Sequence, residues 1–242
     1  MTTDQRIENL ERELAALRAE LAERVCTRTV KIVDENGKPR ASLCVSKDGA
    51  GLILFDENGK GRATLAASKV GPALNLCDEN GETRVTLGAS KDGIGLNLRD
   101  ENGKGRVLLN TDRDGAGLIL SDENGEGRAG FNADKDGAGL ILCDAKGEAR
   151  AGLNATDAGP SLNMTDESGK VRAILLVHED GPGMFLRDEN GMSRVGLDVF
   201  KDGPWLNLRD ENGKTRAMVA ARKDGAVLAL LDKDGKGIWQ AP

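Results

Sequence analysis

The chain is poor in aromatic side chains, which make up 2% of its 242 residues, and it contains no tyrosine. Its only histidine is His178, and its cysteines, Cys26, Cys44, Cys77 and Cys143, show no CxxC spacing. Scattered cysteines of this kind favour free thiols in a reducing compartment over a disulfide framework. A core with so few aromatic rings is expected to be aliphatic.

Long apolar runs are also missing, and none approaches the roughly 18 residues that a membrane-spanning helix needs. The N-terminus lacks the basic and apolar regions of a secretory signal. The charges number 34 basic and 40 acidic, for a net charge of −6, and both signs are interleaved along the chain. We therefore expect a soluble, cytoplasmic protein with no transmembrane segment and no basic face for nucleic acid.

Glycine, in contrast, is abundant, with 32 copies, and it recurs at a fixed spacing. Segments such as "DENGKGR" return every 22 residues without insertion or deletion, in ten copies of which the last is cut short. Numbering the unit from Arg28 places an aspartate at position 7 of every copy, from Asp34 to Asp232. A fixed period means that every unit follows the same backbone path.

Two glycine-containing turns punctuate each unit. Positions 9 and 10 are Asn-Gly in seven of ten copies, and positions 21 and 22 are Asp-Gly in seven of the nine complete copies. Asn-Gly between apolar residues predicts a two-residue type I′ hairpin turn. The expected register pairs position 5 with 14 and 3 with 16, and then 18 and 16 with positions 3 and 5 of the next unit.

This register places the large apolar residues, mostly Leu at positions 3, 5 and 16, on one face. The other face carries Gly at position 2, Asn or Ile at position 4 and Arg at position 13. The predicted fold is all-β: ten tandem β-hairpin repeats closing into a shallow ring or barrel. A round ring of about twenty strands has a lumen too wide for Leu and Ala to fill. The hairpins must then fold inward, flatten the ring, admit a plug or pack against other chains. A parallel β-solenoid is the rival fold.

One amphipathic helix is predicted before the repeats. Residues 4–25 lack Gly and Pro, and Thr2 with Gln5 fits a capping box. Apolar residues occupy heptad positions a and d at Ile7, Leu10, Leu14, Leu17 and Leu21. We expect residues 1–27 to form an oligomerisation helix, or alternatively a cap on the β-domain, and residues 28–242 to form the repeat domain.

A short helix followed by tandem hairpins of the form "GLxLxDENGKxRAxLxxxKDG" resembles the β-flower proteins, a class of bacterial β-hairpin repeat proteins of unknown function. The resemblance covers nearly the whole chain. It implies a closed, pseudo-symmetric ring with an apolar interior and a loose likeness to tubby-like domains, which bind lipid headgroups or membranes. No functional residues carry over from it.

Metal and cofactor sites are not predicted. Asp-Glu-Asn-Gly resembles the start of a calcium loop, but Lys60 and Ala67 stand where an EF-hand has oxygen ligands. The best remaining calcium candidates are Asp232 and the pair Asp112 and Asp114. The aspartate at position 7 is expected instead to cap its hairpin through side-chain to backbone hydrogen bonds.

No catalytic constellation departs from the repeat, since His178 stands alone on the predicted polar face. Trp205 and Trp239 lie in the last two units and are expected to form a terminal cap or seam.

The arginines at position 13 form a candidate anion or headgroup-binding row. These are Arg62, Arg84, Arg106, Arg128, Arg150, Arg172, Arg194 and Arg216. The alternative is that their stems cover apolar surface and their guanidinium groups meet acidic residues at the hairpin tips.

The predicted function is a non-enzymatic structural or binding scaffold that forms a homo-oligomer through its helix. Alternatives are lipid or hydrophobic-ligand binding in the apolar ring interior and a trimeric fibre or receptor-binding segment.

Overall fold

A computed structural model describes residues 2–23 and 29–241, with side chains for residues 2–18 and 29–239. It contains one helix, α1 (Thr3–Glu23), and twenty strands. The strands are β1 (Thr29–Val33), β2 (Pro39–Ser46), β3 (Gly49–Phe55), β4 (Gly61–Ser68), β5 (Pro72–Cys77), β6 (Thr83–Ser90), β7 (Gly93–Arg99), β8 (Gly105–Asp112), β9 (Gly115–Ser121), β10 (Gly127–Asp134), β11 (Gly137–Cys143), β12 (Ala149–Thr156), β13 (Gly159–Thr165), β14 (Val171–His178), β15 (Gly181–Arg187), β16 (Ser193–Phe200), β17 (Gly203–Arg209), β18 (Thr215–Arg222), β19 (Gly225–Leu231) and β20 (Gly237–Ala241).

The chain divides into two compact units, Met1–Gly81 and Glu82–Pro242. The first contains α1 and β1 to β5, and the second contains β6 to β20. Within each unit, consecutive strands pair antiparallel, as in β3 with β4 and β7 with β8. The all-β hairpin repeat with one preceding helix is therefore confirmed. The rival parallel solenoid is excluded, because all the described pairings are antiparallel.

The loop that contains Asn-Gly is longer in the structure than the sequence predicts. In the copy at Asp100, the Gly103 N–H donates to the Asp100 carbonyl at 3.0 Å, and the Asp100 N–H donates to the Lys104 carbonyl at 3.0 Å. Gly103 has φ of +77°, while no described residue other than glycine has positive φ. The loop is thus a three-residue turn ending in left-handed glycine, and the predicted type I′ turn was wrong.

A β-bulge restores the predicted register after this turn. Arg99 pairs with Gly105 and Leu98 with Val107, so Arg106 between them has no partner across the ladder. The three-residue loop shifts the pairing by one residue, and the extra residue in the bulge shifts it back. The predicted pairings of position 5 with 14 and of 3 with 16 are consequently confirmed, and position 13 becomes the bulged residue in each hairpin whose strand pairing is described.

The second turn was predicted with a shifted register. In the copy ending at Gly71, Ser68 and Gly71 exchange backbone hydrogen bonds of 3.1 and 3.2 Å, so positions 20 and 21 form the loop. Position 18 then pairs with position 1 of the next unit, as Ala67 does with Pro72, and not with position 3. The shift is by two residues, so the leucines stay on one face as predicted.

Glycine at position 22 follows this loop because of a close backbone approach. A Cβ on Gly137 would lie 2.1 Å from the carbonyl oxygen of Ala155, and the residue has φ of +144°. The equivalent Gly225 has φ of +140° but open space around it, since no further strand passes there. The glycine at position 22 is therefore required by the neighbouring strand as well as by backbone conformation.

Ring closure is not formed within either unit. Among the described residues, β1 has no pairing with β5 in the first unit, and β6 has none with β20 in the second. The predicted closed ring or barrel is wrong for each unit taken by itself. For the fifteen strands of the second unit, the physical reason is that Leu and Ala side chains cannot fill so wide a lumen, so closure would gain no packed core.

The leucine face is the more exposed side of the sheet in the second unit. Leu153 and Leu175 are 51% and 50% exposed, whereas Ala220 and Ala229 on the opposite face are 2% and 5% exposed. The predicted alternation of faces is confirmed by the pairing, and the exposed leucines are not covered within this unit. We call the surface formed by positions 1, 3, 5, 14, 16 and 18 the leucine face.

Helix α1 begins with the predicted capping box. The Thr2 N–H donates to Gln5 Oε1 at 2.9 Å, and the Gln5 N–H donates to Thr2 Oγ1 at 3.3 Å. Every described side chain of the helix, from residue 2 to 18, is exposed. The predicted seam is therefore exposed at Ile7, Leu10, Leu14 and Leu17, and Leu21 lies outside the described side chains.

We expect Gly137→Ala to destabilise the protein by more than about 2 kcal/mol, because the new Cβ meets a carbonyl in addition to the strained φ. Gly225→Ala carries the φ strain alone and is expected to cost about 1 kcal/mol. Denaturant unfolding curves measure both. Equal losses in the two variants would show that the neighbouring strand plays no part.

Candidate functional site

The aspartate at position 7 holds each hairpin tip together. In the copy at Asp100, Oδ1 accepts the backbone N–H groups of Asn102 at 2.9 Å and Lys104 at 3.0 Å. Other described tips repeat the arrangement, for example Asp210 with the backbone of Asn212 and Lys214. The predicted capping role of this residue is confirmed.

The bulged arginine at position 13 joins a hairpin to the next in eight copies of the unit. Arg106 Nη1 donates to Asp100 Oδ2 at 3.4 Å, and its Nε donates to the carbonyl of Ser121 in the following hairpin at 3.0 Å. Arg84 uses a variant of this geometry, with Nη2 donating to the carbonyl of Glu101 at 2.9 Å. One guanidinium group thus bridges two hairpins.

All eight arginines of the predicted row donate to a backbone carbonyl of the next hairpin. They are Arg62, Arg84, Arg106, Arg128, Arg150, Arg172, Arg194 and Arg216. Seven of them also bond the aspartate at position 7 of their own unit. The prediction that they meet acidic groups at the tips is confirmed for these seven, and their donors are directed to protein acceptors.

These contacts lower the pKa of the tip aspartates. For Asp100, burial acts to raise the pKa, but hydrogen bonds from the Lys104 and Asn102 backbone and from Arg106 outweigh it and leave the pKa below its ordinary value. The pKa of Asp56 is lowered in the same way, mainly by the backbone N–H of Lys60. The same direction holds at Asp122, Asp144, Asp166, Asp188 and Asp210.

We expect the melting temperature to be nearly constant from pH 8 to about 5 and to fall steeply below about pH 4. A carboxylate whose folded pKa is depressed stabilises the fold above its unfolded pKa, and this stability is lost as pH falls through the folded pKa. Asp100→Asn removes one such group, so its melting temperature should lie below wild type at pH 7 and converge on it near pH 2.

Asp92→Asn is the matched control, since the Asp92 carboxylate is 79% exposed and contacts the adjacent Lys91 at 3.4 Å. Thermal melts of both variants across the pH range check the expectation. A constant difference between Asp100→Asn and wild type at every pH would contradict the assigned role of the ionised carboxylate.

His178 caps the second turn of its unit. Its Nδ1 accepts the backbone N–H of Asp180 at 3.1 Å. Ser46 Oγ does the same for the Asp48 N–H at 3.1 Å in another copy. His178 thus takes over a turn-capping role that Ser or Asp has in other copies, which explains its position in structural terms.

The calcium candidates are also engaged in turns. Asp112 Oδ1 accepts the backbone N–H groups of Asp114 and Gly115, and Asp232 Oδ1 accepts those of Asp234 and Lys236. Within residues 2–23 and 29–241, no group of three His, Cys, Asp or Glu side chains could hold a metal ion.

Of the cysteines, Cys44 and Cys143 are free thiols in partly buried positions, and Cys26 lies outside the described residues. Near the end of the repeats, the guanidinium group of Arg222 lies 4.2 Å from the ring centre of Trp205, a cation–π contact. Trp239 in β20 is 49% exposed. The predicted cap or seam formed by the two tryptophans remains a prediction.

Sequence reasoning missed the packing of asparagine over glycine on the face opposite the leucines. A Cβ on Gly139 would lie 2.8 Å from Asn132 Oδ1 and 3.1 Å from Asn154 Oδ1, and one on Gly117 would lie 2.9 Å from Asn110 Oδ1. Glycine at position 2 therefore makes room for asparagine at position 17 of adjacent strands. The sequence carried a signal for this packing, because the copies with asparagine at position 17 also have glycine at position 2.

The leucine face of the second unit is an extended surface that the fold itself does not use. Between residues 83 and 241 its six repeat positions hold no charged residue. Its side chains are well exposed, among them Phe131, Met164 and Leu197 at 51%, 50% and 41%. Contiguous apolar surface on this scale is typical of interaction sites.

A groove of about 620 Å³ lies in this surface around Phe131. Leu109, Leu118, Leu140 and Leu153 line it together with Phe131. The concavity coincides with the one copy in which position 16 carries an aromatic ring in place of an aliphatic residue. Its size and lining are those of a site for an apolar group.

No known family profile matches the chain, and no curated protein does. Among solved structures, a Bacteroides caccae protein of unknown function is 10% identical, with 89% of this chain and 90% of that chain covered, at a TM-score of 0.19. A Desulfotomaculum acetoxidans protein of unknown function is 8% identical over 89% and 86% of the two chains, with a TM-score of 0.20.

A third match, from Bacteroides fragilis and assigned provisionally to the 6-phosphogluconolactonases, is 11% identical over 87% of this chain and 83% of that chain, with a TM-score of 0.19. Likenesses this weak carry no argument about activity. No described helix is long and apolar enough to cross a membrane.

Proposed function

We propose that this chain is a non-enzymatic structural scaffold, in which repeated β-hairpins present an extended surface and helix α1 joins copies of the chain. The observation that carries the proposal is the use of the recurring polar groups. The tip aspartates, bulged arginines and turn-capping residues at position 19 bond the fold's own backbone, including those of Asp100, Arg106 and His178.

Helix α1 supports the assembly part of the proposal. Its apolar residues follow a heptad pattern, and those with described side chains, Ile7, Leu10, Leu14 and Leu17, are all exposed, with Leu10 at 64% and Leu17 at 56%. An exposed a/d seam is stabilised by packing against the same seam of another helix. Leucine at both a and d leaves the number of chains open, so a dimer and a fibre-like trimer are both compatible with it.

We expect Leu10→Glu combined with Leu14→Glu to shift the association midpoint to at least tenfold higher protein concentration, since charges replace the seam. Ala15→Glu, on the solvent side of the same helix, should leave the midpoint unchanged. Mass measured against concentration by light scattering checks both. An unchanged midpoint in the double variant would remove the helix from the assembly.

A second candidate function is binding of a lipid or another hydrophobic ligand, favoured by the groove around Phe131. Such a ligand would lie on the exposed leucine face, because neither unit closes to give a ring interior. The β-flower resemblance points the same way through its likeness to lipid-binding domains. Anion binding by the arginine row would require the guanidinium groups to leave their present acceptors.

If this second candidate is right, we expect native mass spectrometry of the protein purified from cells to show extra mass in the lipid range, and delipidated protein to take up a fluorescent fatty acid saturably. Phe131→Arg should abolish uptake by placing a charge in the groove, while Ala158→Arg in a nearby turn should not. Absence of both bound lipid and uptake by the wild type would reject ligand binding.

A further inference from the structure

We propose that the leucine face of the second unit is the surface on which a second copy of this chain packs. The inference deepens the scaffold proposed above by naming the β-domain interface of the assembly. An antiparallel sheet that faces water on one side carries polar residues there, alternating with the residues that face the core. Fifteen strands, β6 to β20, contribute to this face without one charged residue.

The surface area of the chain leaves room for extensive contacts with other chains. A folded monomer of 25.6 kDa is expected to expose about 10,400 Å². The chain exposes 17179 Å², an excess of about 6,800 Å². A standard stable interface removes about 800 Å² from each partner. The excess is large enough for extensive contacts with other chains.

The repeat itself favours a second copy over an unrelated partner. Each unit adds two strands, so the leucine rows recur about every 9.6 Å across the sheet. Only a surface with the same period can place its side chains between these rows along the whole face. Another copy has this period by construction, and a self-complementary face generates a closed symmetric contact.

The remaining charges do not oppose such packing. The tip residues that carry charge, such as Asp122 and Arg128, pair with each other within the chain. In the turn at the opposite end of the hairpin, Lys135 and Asp136 pair at 3.2 Å and are 86% and 79% exposed. Charges thus lie at both ends of the hairpins, and the apolar rows lie between them. Association through this face should persist at 1 M salt, where contacts between exposed charges are screened.

The test uses the full chain and compares Leu153→Arg and Leu175→Arg with the control Ala158→Arg. Leu153 and Leu175 are about half exposed in the single chain, so each arginine can be accommodated in the hairpin. We expect wild type and control to have a mass that is a multiple of 25.6 kDa at low and high salt. Each leucine variant should lose this association and fall to the smaller mass of an assembly joined by helix α1 alone, with an unchanged circular dichroism spectrum.

Hydroxyl-radical footprinting of the wild type provides a measurement that does not depend on a variant. Phe131 and Met164, half exposed in the single chain, should be protected in the assembly and labelled in the Leu153→Arg protein. Labelling of both residues in a wild-type oligomer, with its mass unchanged by Leu153→Arg, would overturn the inference and leave assembly through the helix standing.

A wild type that stays monomeric at every concentration would overturn both proposals. Protection of Phe131 and Met164 in a monomer that carries extra mass in the lipid range would replace the second copy by a lipid. The helix variants separate the two interfaces, because a failure of α1 to contribute leaves the response to Leu153→Arg intact.

Discussion

The bridge from aspartate through arginine to the next hairpin is the interaction on which the repeat depends. The Asp100 carboxylate organises its own turn by accepting two backbone N–H groups. Arg106 donates one hydrogen bond to this carboxylate and another to the carbonyl of Ser121 in the following hairpin. Hairpins are marginal alone, so a contact that fixes each one to its neighbour propagates order along the chain. The β-bulge is the geometric condition for this bridge, because it frees Arg106 from the ladder.

The period, the two faces and the main register could be read from the sequence, because a 22-residue repeat without insertions imposes one backbone path. The turns could not be read in the same detail. Asn-Gly is equally compatible with a two-residue turn and with a three-residue turn followed by a bulge. Asp100 favours the longer form, since Asp at the first position and Gly at the fourth are typical of a type I turn, and the Gly103 N–H donates to the Asp100 carbonyl at 3.0 Å.

Glycine at position 22 shows a related limit of sequence reasoning. Asp-Gly was interpreted as the loop itself, whereas the loop is formed by positions 20 and 21, here Lys135 and Asp136. Gly137 follows this loop because a Cβ there would meet the carbonyl of Ala155. The same holds for Gly139, which makes room for asparagine side chains on both neighbouring strands. In both places an adjacent strand requires a residue without a Cβ, and the presence of glycine in the sequence does not identify that strand.

The closed ring was a wrong prediction because closure would not bury the leucines, and the same leucines favour packing against a partner. A closed ring solves the problem of an apolar face only if side chains can fill the lumen, and Leu with Ala cannot fill one of about 100 Å circumference. A sheet whose hairpins are fixed to one another by Asp and Arg keeps its leucines in regular rows. The cost of leaving those rows in water grows with every added repeat, so a second surface of the same period becomes more favourable as the array lengthens.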